Sequence, residues 1–218
     1  MDYDHPLRRV LVTGISGSGK TGLAIHLLRN WPKAQWVFCY DQHREFARKT
    51  GWGVAINKEE IIRLASQCRP VCFDPVPMFN GDNVAGLEWY SGIVLSISKT
   101  VNGVKVLGVD EAWECTERTL GPNLRAIYHR GRREEIDSLA TTQALNETHP
   151  VMRAQLSQLW TFAQDDVLPL DWLSKRGFDR EEIQNLKSPG GFIVKENRKF
   201  RRGTTSKRGE PFYDSGTA

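Results

Sequence analysis

Gly14-Ile15-Ser16-Gly17-Ser18-Gly19-Lys20-Thr21 matches G-x-x-x-x-G-K-[ST] in full, after the apolar run Val10-Leu11-Val12-Thr13 and before the helix-like run Gly22 to Leu28. Strand, glycine loop and helix together make a cradle for nucleotide phosphates. Backbone N–H groups must converge on an anion, and glycine tolerates the required conformations best. The helix that follows points its positive end at the same place. The nucleotide-contacting positions are therefore Gly14, Ser16, Gly17, Ser18, Gly19, Lys20 and Thr21. Lys20 is expected to reach the β- and γ-phosphates of ATP, and the Thr21 hydroxyl to ligate Mg²⁺.

A second run, Val106-Leu107-Gly108-Val109, ends in Asp110-Glu111. Ligands in open α/β sheets bind at the carboxyl ends of the strands. Asp110 is expected to hold Mg²⁺, and Glu111 to orient and deprotonate the attacking water. This run is expected on a strand neighbouring the first. A water-activating carboxylate beside the metal aspartate suits hydrolysis. A kinase must keep water out.

Further along, Ser138-Leu139-Ala140-Thr141-Thr142-Gln143 repeats the pattern of a strand with a polar end. Gln143 is placed to sense the γ-phosphate or the water. Between these strands lies Tyr128-His129-Arg130-Gly131-Arg132-Arg133. An arginine at a subunit boundary can complete a neighbour's site, with ~10³–10⁵ in rate. Arg130, Arg132 and Arg133 are candidates, with Arg125 behind them. The competing reading is a basic helix face toward DNA or solvent.

The elements that must position these residues alternate between strand-like and helix-like, as in a mostly parallel sheet with helices on both faces. Strands are expected at Gln35–Tyr40, near Ile56, and at Pro70–Asp74, Val104–Val109, Ile136–Thr141 and Ser157–Phe162. Gly191–Val194 is expected as a last edge strand. Helices are expected at Asp41–Lys49, Glu59–Cys68, Asp82–Lys99 and Pro122–Arg133, the third with Val84, Leu87, Tyr90, Val94 and Ile97 at helical intervals. Residues 1–196 read as one core. Residues 197–218, rich in Gly, Ser, Thr and basic side chains, read as a disordered tail. Pro75–Gly81 and Thr116–Pro122 are loops, candidates to line a pore.

Across 218 residues the composition is ordinary for a globular domain, with a net charge of +4. No apolar stretch approaches the ~20 residues of a membrane span. The opening Met1-Asp2-Tyr3-Asp4-His5-Pro6 lacks the basic and apolar regions of a signal peptide, so an intracellular setting is expected. Cys39, Cys68, Cys72 and Cys115 have no zinc-site spacing and read as reduced thiols. Lys195, Arg198, Lys199, Arg201, Arg202, Lys207 and Arg208 form a basic cluster suited to a polyanion.

Together the GISGSGKT loop, the strand ending Asp110-Glu111, the stretch His129-Arg130-Gly131-Arg132 and the strand end Ala140-Thr141-Thr142-Gln143 resemble the FtsK/HerA superfamily of P-loop motor ATPases over roughly Leu7 to Val194. Asn146–Ala154 and Leu159-Trp160-Thr161-Phe162 fit the same succession. The resemblance implies a RecA-like core that assembles as a ring, a hexamer, and moves double-stranded DNA with ATP. The small size is similar to the genome-packaging ATPases of tailless viruses with internal membranes. That implies host cytoplasm or the virion, with a capsid vertex or membrane proteins as further partners. No DNA-tracking winged domain is visible, so DNA contact falls to the core or the basic tail. Zot-like filamentous-phage assembly ATPases share several of these features but usually carry a membrane segment. A small-molecule P-loop kinase, with Arg130–Arg133 as a lid, is an alternative of another class.

Overall fold

A computed structural model describes residues 6–116 and 120–215. Met1–His5, part of the expected Thr116–Pro122 loop and the last three residues lie outside them. The chain runs β1 (Arg9–Thr13), α1 (Lys20–Arg29), β2 (Ala34–Tyr40), α2 (Glu45–Thr50), β3 (Gly53–Ala55), α3 (Lys58–Ser66), β4 (Val71–Phe73), α4 (Val76–Phe79), α5 (Asn83–Ser98) and β5 (Val104–Val109). It continues through a 3-10 turn (Ala112–Cys115), α6 (Pro122–Glu134), β6 (Ile136–Thr142), β7 (Gln158–Thr161), α7 (Val167–Ser174), α8 (Arg180–Gln184), β8 (Gly191–Glu196), β9 (Lys199–Thr205) and β10 (Pro211–Tyr213).

The ten strands of the described residues form one sheet, in the order β10-β9-β8-β7-β1-β6-β5-β2-β4-β3. From β7 to β3 the pairing is parallel; β8, β9 and β10 add on antiparallel. The parallel strands read as near-continuous apolar runs because both faces are covered. Along β1, Val10 and Val12 face Leu23, Ala24 and Leu28 of α1, while Leu11 belongs to the core on the other face. That second core is built from α3, α5, α6, α7 and α8 with Phe38, Tyr40, Phe73 and Leu107 of the sheet. Each fully buried Val, Leu or Phe contributes ~1.5–3 kcal/mol, which makes the middle of this sheet the rigid part of the molecule.

Local chemistry sets the helix starts. The Asn57 side chain accepts the Glu60 N–H at 2.9 Å, and Glu60 reaches back to the Ile56 N–H at 2.8 Å. Asp82 caps α5 through the Ala85 N–H. Asp41 accepts the N–H groups of Phe46 and Ala47, so the helix expected from Asp41 starts at Glu45.

Four expectations are corrected. The strand of Asp110 is not beside β1: β6 lies between β1 and β5, because β6 pairs with both. Gly191–Val194 is no edge, since β8 is flanked by β7 and β9. The segment from 197 onward is a hairpin as far as Tyr213, with β9 and β10 in the sheet. Its aromatic residues hold it. Phe200 meets Phe178 edge-on at 5.0 Å, and Tyr213 meets Phe192 at 5.7 Å. Two of its arginines are also paired: Arg201 with Glu196 at 2.7 Å, and Arg202 with both oxygens of Glu182. Finally, Pro75–Gly81 contains the short helix α4. Helices α7 and α8 had no counterpart in the sequence reading.

Candidate nucleotide site

Three strands end near one another at the carboxyl edge of the sheet, β5 two residues short of β1 and β6. Thr13 at the end of β1 is level with Thr142 of β6, and Val109 at the end of β5 is level with Ala140. At ~4.8 Å per strand, the glycine loop after β1 and the carboxylates after β5 stand ~10 Å apart, with the end of β6 in the gap. The insertion of β6 therefore opens a slot between loop and carboxylates and puts Gln143 in it.

The loop is forced by close approach. A Cβ on Gly14 would stand 2.7 Å from the Phe162 Cβ and 2.8 Å from the Ser18 Oγ, so only glycine fits. Gly17 and Gly19 take φ of 71° and 112°, and Gly19 turns the chain into α1. The Ser18 hydroxyl is buried without a hydrogen-bond partner among the described residues. Lys20, nearly buried, donates to the Ile15 carbonyl at 3.0 Å and lies 3.9 Å from the Glu111 carboxylate. Burial lowers its pKa; Glu111 and Asp110 oppose that.

Opposite the loop, Asp110 accepts the Thr141 hydroxyl at 2.7 Å, and the same hydroxyl accepts the Glu111 N–H at 3.0 Å. Burial pushes the Asp110 carboxyl up to about 6, against the pull of that hydrogen bond. Glu111 has a left-handed backbone, φ 45° and ψ 60°, unusual for a residue with a Cβ. Both of its carboxylate oxygens are engaged. Oε2 accepts from Trp113 Nε1 at 3.0 Å and the Gln143 backbone N–H at 3.1 Å; Oε1 accepts from Gln143 Nε2 at 2.9 Å.

Ser16 to Thr21, Asp110, Glu111 and Gln143 thus line a single cavity of about 450 Å³. Gly14 lies behind it, fixing the loop against Phe162. Three features of this cavity escaped the sequence reading. Thr141 is the hinge between Asp110 and Glu111. His43 and Gln42 both bond Glu114 Oε2, at 3.0 and 2.7 Å, and His43 and Glu114 line the far wall. The C-terminal segment backs the loop: the N–H of Gly190, just before β8, donates to the Ser18 carbonyl at 3.0 Å, and Gly209 of the hairpin lies against Gly22 in the first turn of α1. Only Phe200, Phe212 and Tyr213, set among the charges, pointed to an ordered end.

Among the described residues no group of three or more His, Cys, Asp or Glu side chains could hold a metal alone. The hydroxyl of Thr21 and the carboxylate of Asp110 are hard oxygen donors. They fit Mg²⁺, which takes few protein ligands and completes its shell with phosphate oxygens and water.

Arg130 and Arg132 are not brought into this cavity. They sit at the carboxyl end of α6, which runs back to the start of β6; at Gly131 a Cβ would stand 2.6 Å from the Ile136 carbonyl and 3.3 Å from Leu7. Both are exposed, at the opposite edge of the sheet. They cannot reach the phosphate loop of their own chain.

A glycine loop between strand and helix, facing strand-end carboxylates across an inserted strand, defines a P-loop nucleotide-binding α/β fold. Solved structures agree. The genome-packaging NTPase B204 from Sulfolobus turreted icosahedral virus 2, in complex with AMPPCP, is 19% identical over 91% of this chain and 97% of that one, with a TM-score of 0.71. VirB4 of Thermoanaerobacter pseudethanolicus is 12% identical over 89% and 88%, TM-score 0.64. The bacterial conjugative coupling protein TrwBΔN70 is 12% identical over 91% and 84%, TM-score 0.64. At such identities these likenesses establish the shared fold. The sequence matches no protein-family model and no curated protein.

Proposed function

We propose that this chain hydrolyses ATP and uses the energy to move double-stranded DNA, as a genome-packaging motor of the FtsK/HerA kind. The observation that carries the reading is the slot between β1 and β5: loop, lysine, two carboxylates and a glutamine surround one cavity. The fold shared with a packaging NTPase and with conjugative proteins points the same way.

In this reading the loop amides and Lys20 bind the phosphates, Lys20 exchanging the Ile15 carbonyl for a phosphate oxygen. Thr21 and Asp110 hold Mg²⁺, which when bound neutralises charge on the β- and γ-phosphates. Glu111 takes the proton of the attacking water, a role worth ~10²–10⁴ in rate. Its carboxylate is tied to Gln143 in the resting arrangement, so a γ-phosphate that engages the Gln143 amide also frees Glu111 Oε1. Nucleotide state and water activation are coupled through one side chain. Arg130 or Arg132 serves the site of a neighbour in a ring. The opposite-edge position of these arginines weighs against the kinase alternative, whose lid must close over its own phosphates. No helix among the described residues is long and apolar enough to cross a membrane. Host cytoplasm or the virion is the corresponding location.

The test is ATP turnover by the purified full chain with and without long duplex DNA. Turnover should rise with duplex and be abolished in Lys20→Ala. Stimulation by a small hydroxylated metabolite, with a phosphorylated product, would instead identify a kinase.

A further inference from the structure

At the amino edge of the sheet, opposite the phosphate loop, lies a cavity of about 420 Å³ whose lining includes Arg153, Arg176, Lys195 and Arg198, and no carboxylate. It is anchored to the start of β1, because Gln155 and Ser157 in its wall bond the Arg9 guanidinium and backbone N–H. Trp172 of α7 organises it. The Arg176 guanidinium lies 3.2 Å from the centre of its ring and that of Arg153 5.7 Å, so two cations share one aromatic side chain.

Their remaining bonds are few. Arg176 Nη1 donates to the Trp172 carbonyl at 3.2 Å, and Lys195 Nζ to the Arg176 carbonyl at 2.5 Å. Arg153 Nε is buried with no partner among the described residues. Arg198 is held at the tip of a two-residue turn, with Asn197 and Arg198 at φ 47° and 67° between paired Glu196 and Lys199. Both left-handed residues make this the tight hairpin turn that matches strand twist, so the cation is presented on a stiff mount. Burial lowers the pKa of Arg153 and of Arg176, and Arg153 pushes Arg176 further down.

A pocket of partly desolvated cations without a counter-charge is costly unless an anion enters it. A guanidinium offers five N–H donors in a planar fork that matches phosphate oxygens. We infer that this cavity is a phosphate-binding site for the backbone of duplex DNA, separate from the nucleotide cavity. The choice of a polymer rather than a free ion rests on what adjoins it, and on the motor reading above. Arg8 and Arg133 lie further along the same edge toward β6. From β8 to β6 is three strand spacings, ~15 Å. A duplex presents a charge every ~1.7 Å of its axis and spans that distance with several phosphates.

The experiment measures affinity for a labelled duplex across a salt series, using the full chain, with basal ATP turnover followed in parallel. Each lost phosphate contact should lower the slope of log affinity against log salt by ~0.9. Arg153→Gln/Arg176→Gln should lower it by about 2 and Arg198→Gln by about 1, with basal turnover retained. Arg198 is at an exposed hairpin tip, so its variant reads the site even if the double variant fails to fold. Arg198→Lys should keep the slope. An unchanged slope in Arg198→Gln, while the unaltered protein binds DNA, overturns the site. So does loss of calorimetric inorganic-phosphate binding with the slope intact, or a change of oligomeric mass alone. If the unaltered protein binds no duplex, the motor reading fails first, and the DNA occupant with it.

Discussion

The two edges of the sheet solve opposite electrostatic problems. At the carboxyl edge the charged groups meet partners in the cavity wall: Lys20 lies 3.9 Å from Glu111, His43 hydrogen-bonds Glu114, and Asp110 accepts the Thr141 hydroxyl. At the amino edge Arg153, Arg176, Lys195 and Arg198 share a cavity with no carboxylate. An edge that pairs its charges can hold a defined arrangement and switch it when a ligand competes for a partner. A cavity of unpaired cations holds no alternative states. It attracts any phosphate chain, in proportion to the contacts made. The first suits chemistry, the second grip.

The sharpest way to break this contrast is at Glu111. Glu111→Gln keeps the size of the side chain and removes its proton acceptor. Single-turnover hydrolysis should fall by ~10²–10⁴ while nucleotide affinity and the DNA salt slope stay unchanged. A variant that still hydrolyses ATP at the original rate removes the water-activating role from this residue.

Next in size is the cost of Asp110. Its carboxyl, moved from 3.8 to about 6 by burial, holds its proton more tightly folded than unfolded. Stability should therefore fall as pH rises from ~4 to ~6 and level off above, a change of ~3 kcal/mol from this group alone. Thermal melts of the metal- and nucleotide-free protein and of Asp110→Asn check it. The variant should be the more stable near about pH 7, with the gap narrowing as pH falls and closing below about pH 4. A variant that melts lower at neutral pH would show that the buried charge is no burden.

How much of this was legible beforehand follows the range of the interactions. The phosphate loop, the strand ending Asp110-Glu111 and the strand ending Gln143 are local patterns, and each was readable from a few consecutive residues. The position of β6 between β1 and β5 is set by pairing across long stretches of chain, which no short pattern encodes. His43 and Glu114 meet across 71 positions, and nothing near either marks the other. The hairpin was misread because its charges were counted and its aromatic side chains were not. Arg201 and Arg202 turned out to be paired structural residues, whereas Arg153 and Arg176, 23 positions apart in the sequence, converge on Trp172. Charge clustering along the chain was a poor guide to clustering in space.

The smallest effect tests whether the hairpin belongs to the carboxyl edge. Gly209 has φ +83°, and a Cβ there would stand 2.0 Å from the Gly22 carbonyl oxygen. Gly209→Ala imposes the left-handed penalty of ~1–2 kcal/mol and makes the Ser206–Glu210 turn lift from α1 to relieve the clash. In a domain of this size that lowers the melting temperature by ~2–4 °C per kcal/mol. The turn backs the first turn of α1, whose backbone N–H groups receive the phosphates in the proposed mechanism. The variant should therefore weaken ATP binding more than it slows turnover, and leave the DNA salt slope where it was. A change in the salt slope with ATP binding intact would place the hairpin with the grip instead, and the division between the two edges would have to be redrawn through β9.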